Sequence, residues 1–169
     1  MLDMARAETL RLLGKDTVDP LFKLANATLE ILRQTEKTAL DVRHILLLLL
    51  GETTGRVAQV VAELEIDRAD LEAVVRSTVD PVDSSASSRR FVSSWVMSTT
   101  LQLADKESRD MGGSAIEPEH LFLGVLRAEP TLLAILALMG SKSGPKEASR
   151  TIGSMLDRVR EAVRRIRGS

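Results

Sequence analysis

Glu117, Glu119 and His120 stand almost together in the stretch Ser114-Ala-Ile-Glu-Pro-Glu-His-Leu-Phe-Leu-Gly-Val-Leu-Arg127. Two carboxylates beside an imidazole are the ingredients of acid–base chemistry or of a metal site. The spacing favours neither. Carboxylates two residues apart at a helix start diverge, and no nucleophile with its own base is evident. His44 and His120 are the only histidines and there is no cysteine, whereas a metal site wants several convergent ligands. Each histidine reads instead as a ring packed against a neighbouring unit and bonded to a backbone group. Glu119 places negative charge in the first turn of a helix, against the positive end of its dipole. The residues predict no catalysis, no metal and no cofactor.

The element that positions them is a capped, apolar helix. Glu117 sits at the N-cap, and Pro118 takes the first helical position, where its missing N–H costs nothing. Leu121, Phe122, Val125 and Leu126 fall on one face at the 3.6-residue period. The same pattern occurs earlier, in Thr38-Ala-Leu-Asp-Val-Arg-His-Ile-Leu-Leu-Leu-Leu-Leu50, with His44 on His120 and Asp41 at the cap. Ile45, Leu46, Leu49 and Leu50 match the four apolar positions one for one. The chain is therefore two copies of one helical unit.

Around these two helices the rest of the chain falls into order. Leu2–Leu13 is an extra N-terminal helix with loose apolar spacing, ended by Gly14. Asp19-Pro20 starts the next helix. Arg56–Glu65 is a short helix with Val57, Val60, Val61 and Leu64 inward. Asp67 caps another, with Leu71, Val74, Val75 and Thr78 on its apolar face. Asp80–Ser88 is rich in serine and marks the clearest boundary. A long helix from about Arg89 ends at Met111-Gly112-Gly113. After the motif helix, Pro130 opens a helix closed by Gly140, and the last helix puts Ile152, Leu156, Val159, Val163 and Ile166 on one face. Nothing alternates in the manner of a sheet. The predicted fold is all-α: one domain over 1–169, with two tandem four-helix repeats at 17–80 and 90–167 joined by a Ser-rich linker at 81–89, related by a pseudo-twofold axis.

Composition narrows the partners. The net charge is -1, and one Trp, three Phe and no Tyr leave no platform for stacking bases. The run Ile45–Leu50 is too short to span a bilayer, and Met1–Leu13 is not a signal peptide. A cytoplasmic protein with no membrane partner is expected. Arg158, Arg160, Arg164, Arg165 and Arg167 are diluted by Asp157 and Glu161, so they read as a solvated helix face. The alternative is a helical regulator that lays these arginines on nucleic acid, which steep salt dependence would reveal.

The chain resembles the Clp N-terminal domain, the double Clp repeat at the front of the ClpA, ClpB and ClpC unfoldases. The resemblance rests on Leu101-Gln-Leu-Ala-Asp-Lys-Glu, Met111-Gly112, Ile116-Glu-Pro-Glu-His-Leu-Phe-Leu-Gly-Val-Leu126 and Leu138-Met-Gly140. It runs from about Pro20 to Ile166 and is stronger in the second copy. It implies a module that binds adaptors, client proteins or Clp ATPase or protease subunits. In ClpC-like members the Glu of the Glu-His pair also binds phosphorylated arginine, a role that would fall on Glu119. No Gly-x-x-x-x-Gly-Lys-[Ser/Thr] loop occurs in this sequence, which suits either a fragment of an unfoldase or a stand-alone relative competing for its ligands. Several positions depart from the family pattern. Arg43 replaces the Glu of the first copy, Pro118 replaces a Thr common in ClpC-like members, Leu48 stands opposite Gly124, and Glu65 stands opposite Gly140. The first copy is expected to keep the fold without the ligand. The candidate partner-binding residues are Glu119, Pro118, His120 and Arg43.

Overall fold

The structure is a computed structural model that describes residues 42–79, 89–140 and 145–168, with side-chain surroundings at 42–79, 98–140 and 152–168. The N-terminal helices, the Asp41 cap and the Ser-rich linker expected from the sequence lie outside the described residues. Every described element is a helix: α1 Val42–Gly51, α2 Arg56–Glu63, α3 Arg68–Thr78, α4 Arg89–Asp110, α5 Pro118–Ala128, α6 Pro130–Met139 and α7 Pro145–Gly168. None of them alone is long and apolar enough to cross a membrane.

The repeat is visible in the packing. The chain turns through 91° between α1 and α2 and through 105° between α5 and α6, so both copies make the same near-right-angle corner. Exchanging the copies maps α1 onto α5, α2 onto α6 and α3 onto α7. The helix contacts respect that exchange: α1 packs on α5, α2 on α7, and α3 on α6. This is the pseudo-twofold relation that the matched apolar positions predict.

Helix α5 is the hub of the described helices. Helices α1, α2, α4, α6 and α7 all pack against it. The sequence predicts one apolar stripe, yet all eight residues from Glu119 to Leu126 are buried. Leu123 and Gly124 meet neighbours on the side that the period assigns to solvent, because a helix enclosed all round has no polar face. Burial of each large side chain here contributes roughly 1.5–3 kcal/mol.

Two other faces differ from expectation. Val74 in α3 is exposed, while Leu71 and Val75 are buried, so the α3 stripe is narrower than its spacing implies. In α7 the buried line is Met155, Val159, Ala162 and Val163, with Ile152, Leu156 and Ile166 half-buried at its edges. The buried face is turned by a fraction of a turn from the expected one, and Ala162 lies on it.

Three helix ends show how capping acts in this chain. Asp67 Oδ1 accepts from the Asp70 amide at 2.9 Å, a regular N-cap. Helix α4 ends in a paired turn, with Gly112 N–H on the Arg109 carbonyl at 2.9 Å and Gly113 N–H on Ser108 at 2.8 Å. Gly112 has φ +74°, the left-handed conformation this ending requires. Helix α2 ends the same way, with Glu65 N–H on Ala62 and Ile66 N–H on Val61, but the left-handed residue is Glu65, at φ +58°. A side chain there costs about 1 kcal/mol relative to glycine. Glu65→Gly is expected to raise stability by roughly 0.5–1 kcal/mol, read as a higher urea midpoint at unchanged slope.

Candidate functional site

The N-terminus of α5 is fixed by its own residues. Glu117 is the N-cap in extended conformation, φ -94° and ψ 166°, and Pro118 follows at the first helical position. The Glu117 amide donates to His120 Nδ1 at 3.0 Å. The imidazole thus takes the part that a Glu or Gln side chain plays in a capping box, which is the backbone bond the sequence assigns to it. His120 is fully buried. Burial holds its basicity below the usual histidine value, Arg167 and Arg56 push the same way, and Glu119 opposes them. Burial thus favours the neutral ring, as does the amide bond that Nδ1 accepts.

Next to it, Glu119 is a buried carboxylate, 1% exposed, gripped by arginines from two other helices. Arg56 at the start of α2 donates through Nη1 to Oε1 at 2.7 Å. Arg167 in the last turn of α7 reaches the same oxygen at 3.5 Å and also touches His120 Nε2. The second carboxylate oxygen, Oε2, is buried without a hydrogen-bond partner among the described residues. An open lone-pair site on a buried carboxylate is costly unless something fills it.

A second, equally buried carboxylate is held by arginines of α5 and α7. Glu107 of α4 is 1% exposed. Arg160 of α7 forks onto it, Nε to Oε2 at 3.0 Å and Nη2 to Oε1 at 2.7 Å. Arg127, in the last turn of α5, donates to Oε1 at 2.8 Å. Burial by itself would raise this carboxyl; the bond and charge of Arg160, then those of Arg127, outweigh it and hold the group below the usual carboxylate range.

Among the residues singled out from the sequence, Pro118, Glu119 and His120 come together in one turn. Arg43 donates through Nη1 to the Thr78 carbonyl at 2.5 Å, at the end of α3, where a cation suits the helix terminus. His44 is half-buried. The described residues hold no group of three or more His, Asp or Glu arranged for a metal ion.

Arg56, Glu107, Arg127, Arg160 and Arg167 were not picked out as a site. The last helix is not a uniformly solvated face: Arg160 and Arg167 reach buried carboxylates, and Arg165 pairs with Glu63 at 2.8 Å and Glu161 at 3.6 Å. A signal for this was available, since residues seven apart share one helical face with Val163 between them. An open cleft of about 670 Å³ between α4 and α7 is lined by Asp110, Asp157, Glu161, Arg158 and Arg164 beside the Glu107–Arg160 pair. Charges of both signs alternate there, so it has no net pull on an anion.

Compared with known protein families, residues 23–139 match the family described as the Clp repeat (R) N-terminal domain, more than half of the chain. No curated protein matches it.

Proposed function

The chain belongs to the Clp repeat N-terminal domain family, and from that premise we propose that it recognises adaptors, client proteins or Clp subunits in the cytoplasm by reading an arginine or phosphoarginine side chain at Glu119. Domains of this family are in general non-catalytic protein-interaction modules of the Clp system. The observation that carries the finer reading is the Glu119 carboxylate. It is buried, Oε1 already takes Arg56 at 2.7 Å and Arg167 at 3.5 Å, and Oε2 has no hydrogen-bond partner among the described residues. Carboxylates take guanidinium groups two bonds at a time. Arg56 beside it supplies positive charge that a phosphate on the ligand would need. Pro118 offers neither hydroxyl nor N–H, so the phosphate would rest on Arg56.

The arginines of α7 give the nucleic-acid alternative little support. Arg160, Arg164, Arg165 and Arg167 all pair with carboxylates of the chain itself. A cation already neutralised releases few counterions from a phosphate backbone.

Isothermal titration with phosphoarginine tests the reading. Saturable binding is expected, weakened at least about tenfold in Glu119→Gln, which keeps the shape and removes the charge. Binding that is indifferent to Glu119→Gln would take the site elsewhere and leave only the family's general role.

A further inference from the structure

Arg56 and Arg167 hold the same oxygen of Glu119 very differently. The Arg56 bond is 2.7 Å long and comes from the first residue of α2. Arg167 stands off at 3.5 Å, in the last turn of α7.

The contact of Arg167 with His120 is also poorly matched. A neutral imidazole has one acceptor nitrogen and one N–H. Nδ1 is the acceptor, because it takes the Glu117 amide. The proton is then on Nε2, the atom that Arg167 Nη1 touches. A guanidinium has donors only, so donor faces donor. Meanwhile Oε2 of Glu119 is buried and unused among the described residues. The buried carboxylate is therefore covered by a guanidinium that makes one long bond and one mismatched contact. A guanidinium better placed could use both oxygens.

We propose that Arg167 is a built-in latch, a weakly seated stand-in for the partner's arginine. It shields Glu119 until an arginine-bearing segment of a client or adaptor displaces it and forks onto the carboxylate. This rests on the reading of Glu119 as the ligand contact. Arg56 stays in place as a fixed wall of the site. Displacement lowers the apparent affinity of the site by the fraction of time the latch is closed, so the latch sets a threshold for partners.

The test is titration of the full chain with phosphoarginine in four forms: wild type, Arg167→Ala, Arg165→Ala and the double variant Arg167→Ala with Glu119→Gln. Arg165 is in the same turn and pairs with Glu63 and Glu161 at the surface, so it controls for a general loss of charge. Arg167→Ala is expected to bind about tenfold more tightly than wild type or to bind where wild type is silent. Arg165→Ala should match wild type, and the double variant should not bind. Should Arg167→Ala fail to fold by its thermal transition, Arg167→Lys keeps the stem and charge, loses the fork, and is expected to tighten binding by a smaller factor. Equal or weaker binding by the Arg167 variant overturns the latch and leaves Glu119 as the contact. Silence from both wild type and the Arg167 variant overturns the Glu119 reading, and the latch with it.

Discussion

Glu107→Ala is expected to destabilise the fold by about 3 kcal/mol, the low end for breaking a buried ion pair. For a chain of this size that is a drop in Tm of roughly 6–12 °C. The carboxylate is 1% exposed and joins three helices: its own α4, α5 through Arg127 and α7 through Arg160. Removing it leaves Arg127 without its carboxylate and Arg160 with only the exposed Asp157, at 3.0 Å. Their side chains are 23% and 26% exposed, so each recovers some water, which is why the low end applies. Glu107→Gln keeps the shape and should cost less than Glu107→Ala, since its amide oxygen still accepts from one arginine. Pairing Glu107→Leu with Arg160→Met should recover part of the loss, because apolar groups can replace a buried pair at little cost. Urea unfolding of the three variants and the wild type measures this. A loss under about 1 kcal/mol for Glu107→Ala, the scale of an exposed pair, would show that the cluster is solvated.

The same cluster fixes the sign of the acid response. Glu107 is held below the usual carboxylate range when folded. Its contribution is therefore fully present above the unfolded carboxyl value of 4.5 and is lost as the pH falls below that through the folded value. His120 adds an earlier step. Its folded basicity is lowered from 6.5, so its contribution is present above pH 6.5 and shrinks as the pH falls through that value. Thermal unfolding should show stability declining first below pH 6.5 and again below pH 4.5. The second decline should be smaller in Glu107→Gln.

The repeat and its helices were legible because burial writes itself into spacing. Ile45, Leu46, Leu49 and Leu50 match Leu121, Phe122, Val125 and Leu126, and all eight are buried. Cap residues were legible for a similar reason: Asp67 and Pro118 act on neighbours a few positions away. The site was legible only on one side. Glu119 and His120 stood out within the motif, but their partners Arg56 and Arg167 lie 63 and 47 residues away. Charge on a helix is ordinarily a solvated face, so nothing local separates Arg160 and Arg167 from Arg164. Glu107 could have been suspected. Thr100, Ala104, Glu107 and Ser108 share one face of α4, and all four are buried. A face of small and polar residues records close backbone approach, not an apolar stripe, and hydrophobic periodicity does not detect it.

That close approach makes Gly124→Ala the other severe substitution. In a helix interior alanine is favoured over glycine by about 1 kcal/mol, so sequence rules alone predict stabilisation. The structure predicts the reverse. A Cβ at Gly124 would lie 2.6 Å from the Thr100 carbonyl oxygen, 2.8 Å from Ala104 Cβ and 2.9 Å from the Ala104 amide nitrogen. Each of these atoms belongs to the backbone of α4 or sits directly on it, so no rotamer change can relieve the clash. Helices α4 and α5 must move apart, and that pair forms the most extensive helix contact among the described residues. Overpacking of this kind costs about 3 kcal/mol at the upper end of its usual range, which leaves a net loss of roughly 2 kcal/mol after the propensity gain. Gly51→Ala is the internal control, because a Cβ there meets nothing within 4 Å. Adding Ala104→Gly should restore only part of the loss, since the Thr100 carbonyl and the Ala104 nitrogen remain in the way. Leu48 stands at the equivalent position of α1, and a leucine cannot permit the same backbone contact, so the close crossing belongs to the second copy's own sequence. Gly124 is five residues from Glu119 on α5. A shift of that helix carries Glu119 and His120 off their arginines, so urea unfolding and phosphoarginine titration should register Gly124→Ala together. A stable Gly124→Ala protein with unaltered binding would mean that α4 yields without moving α5.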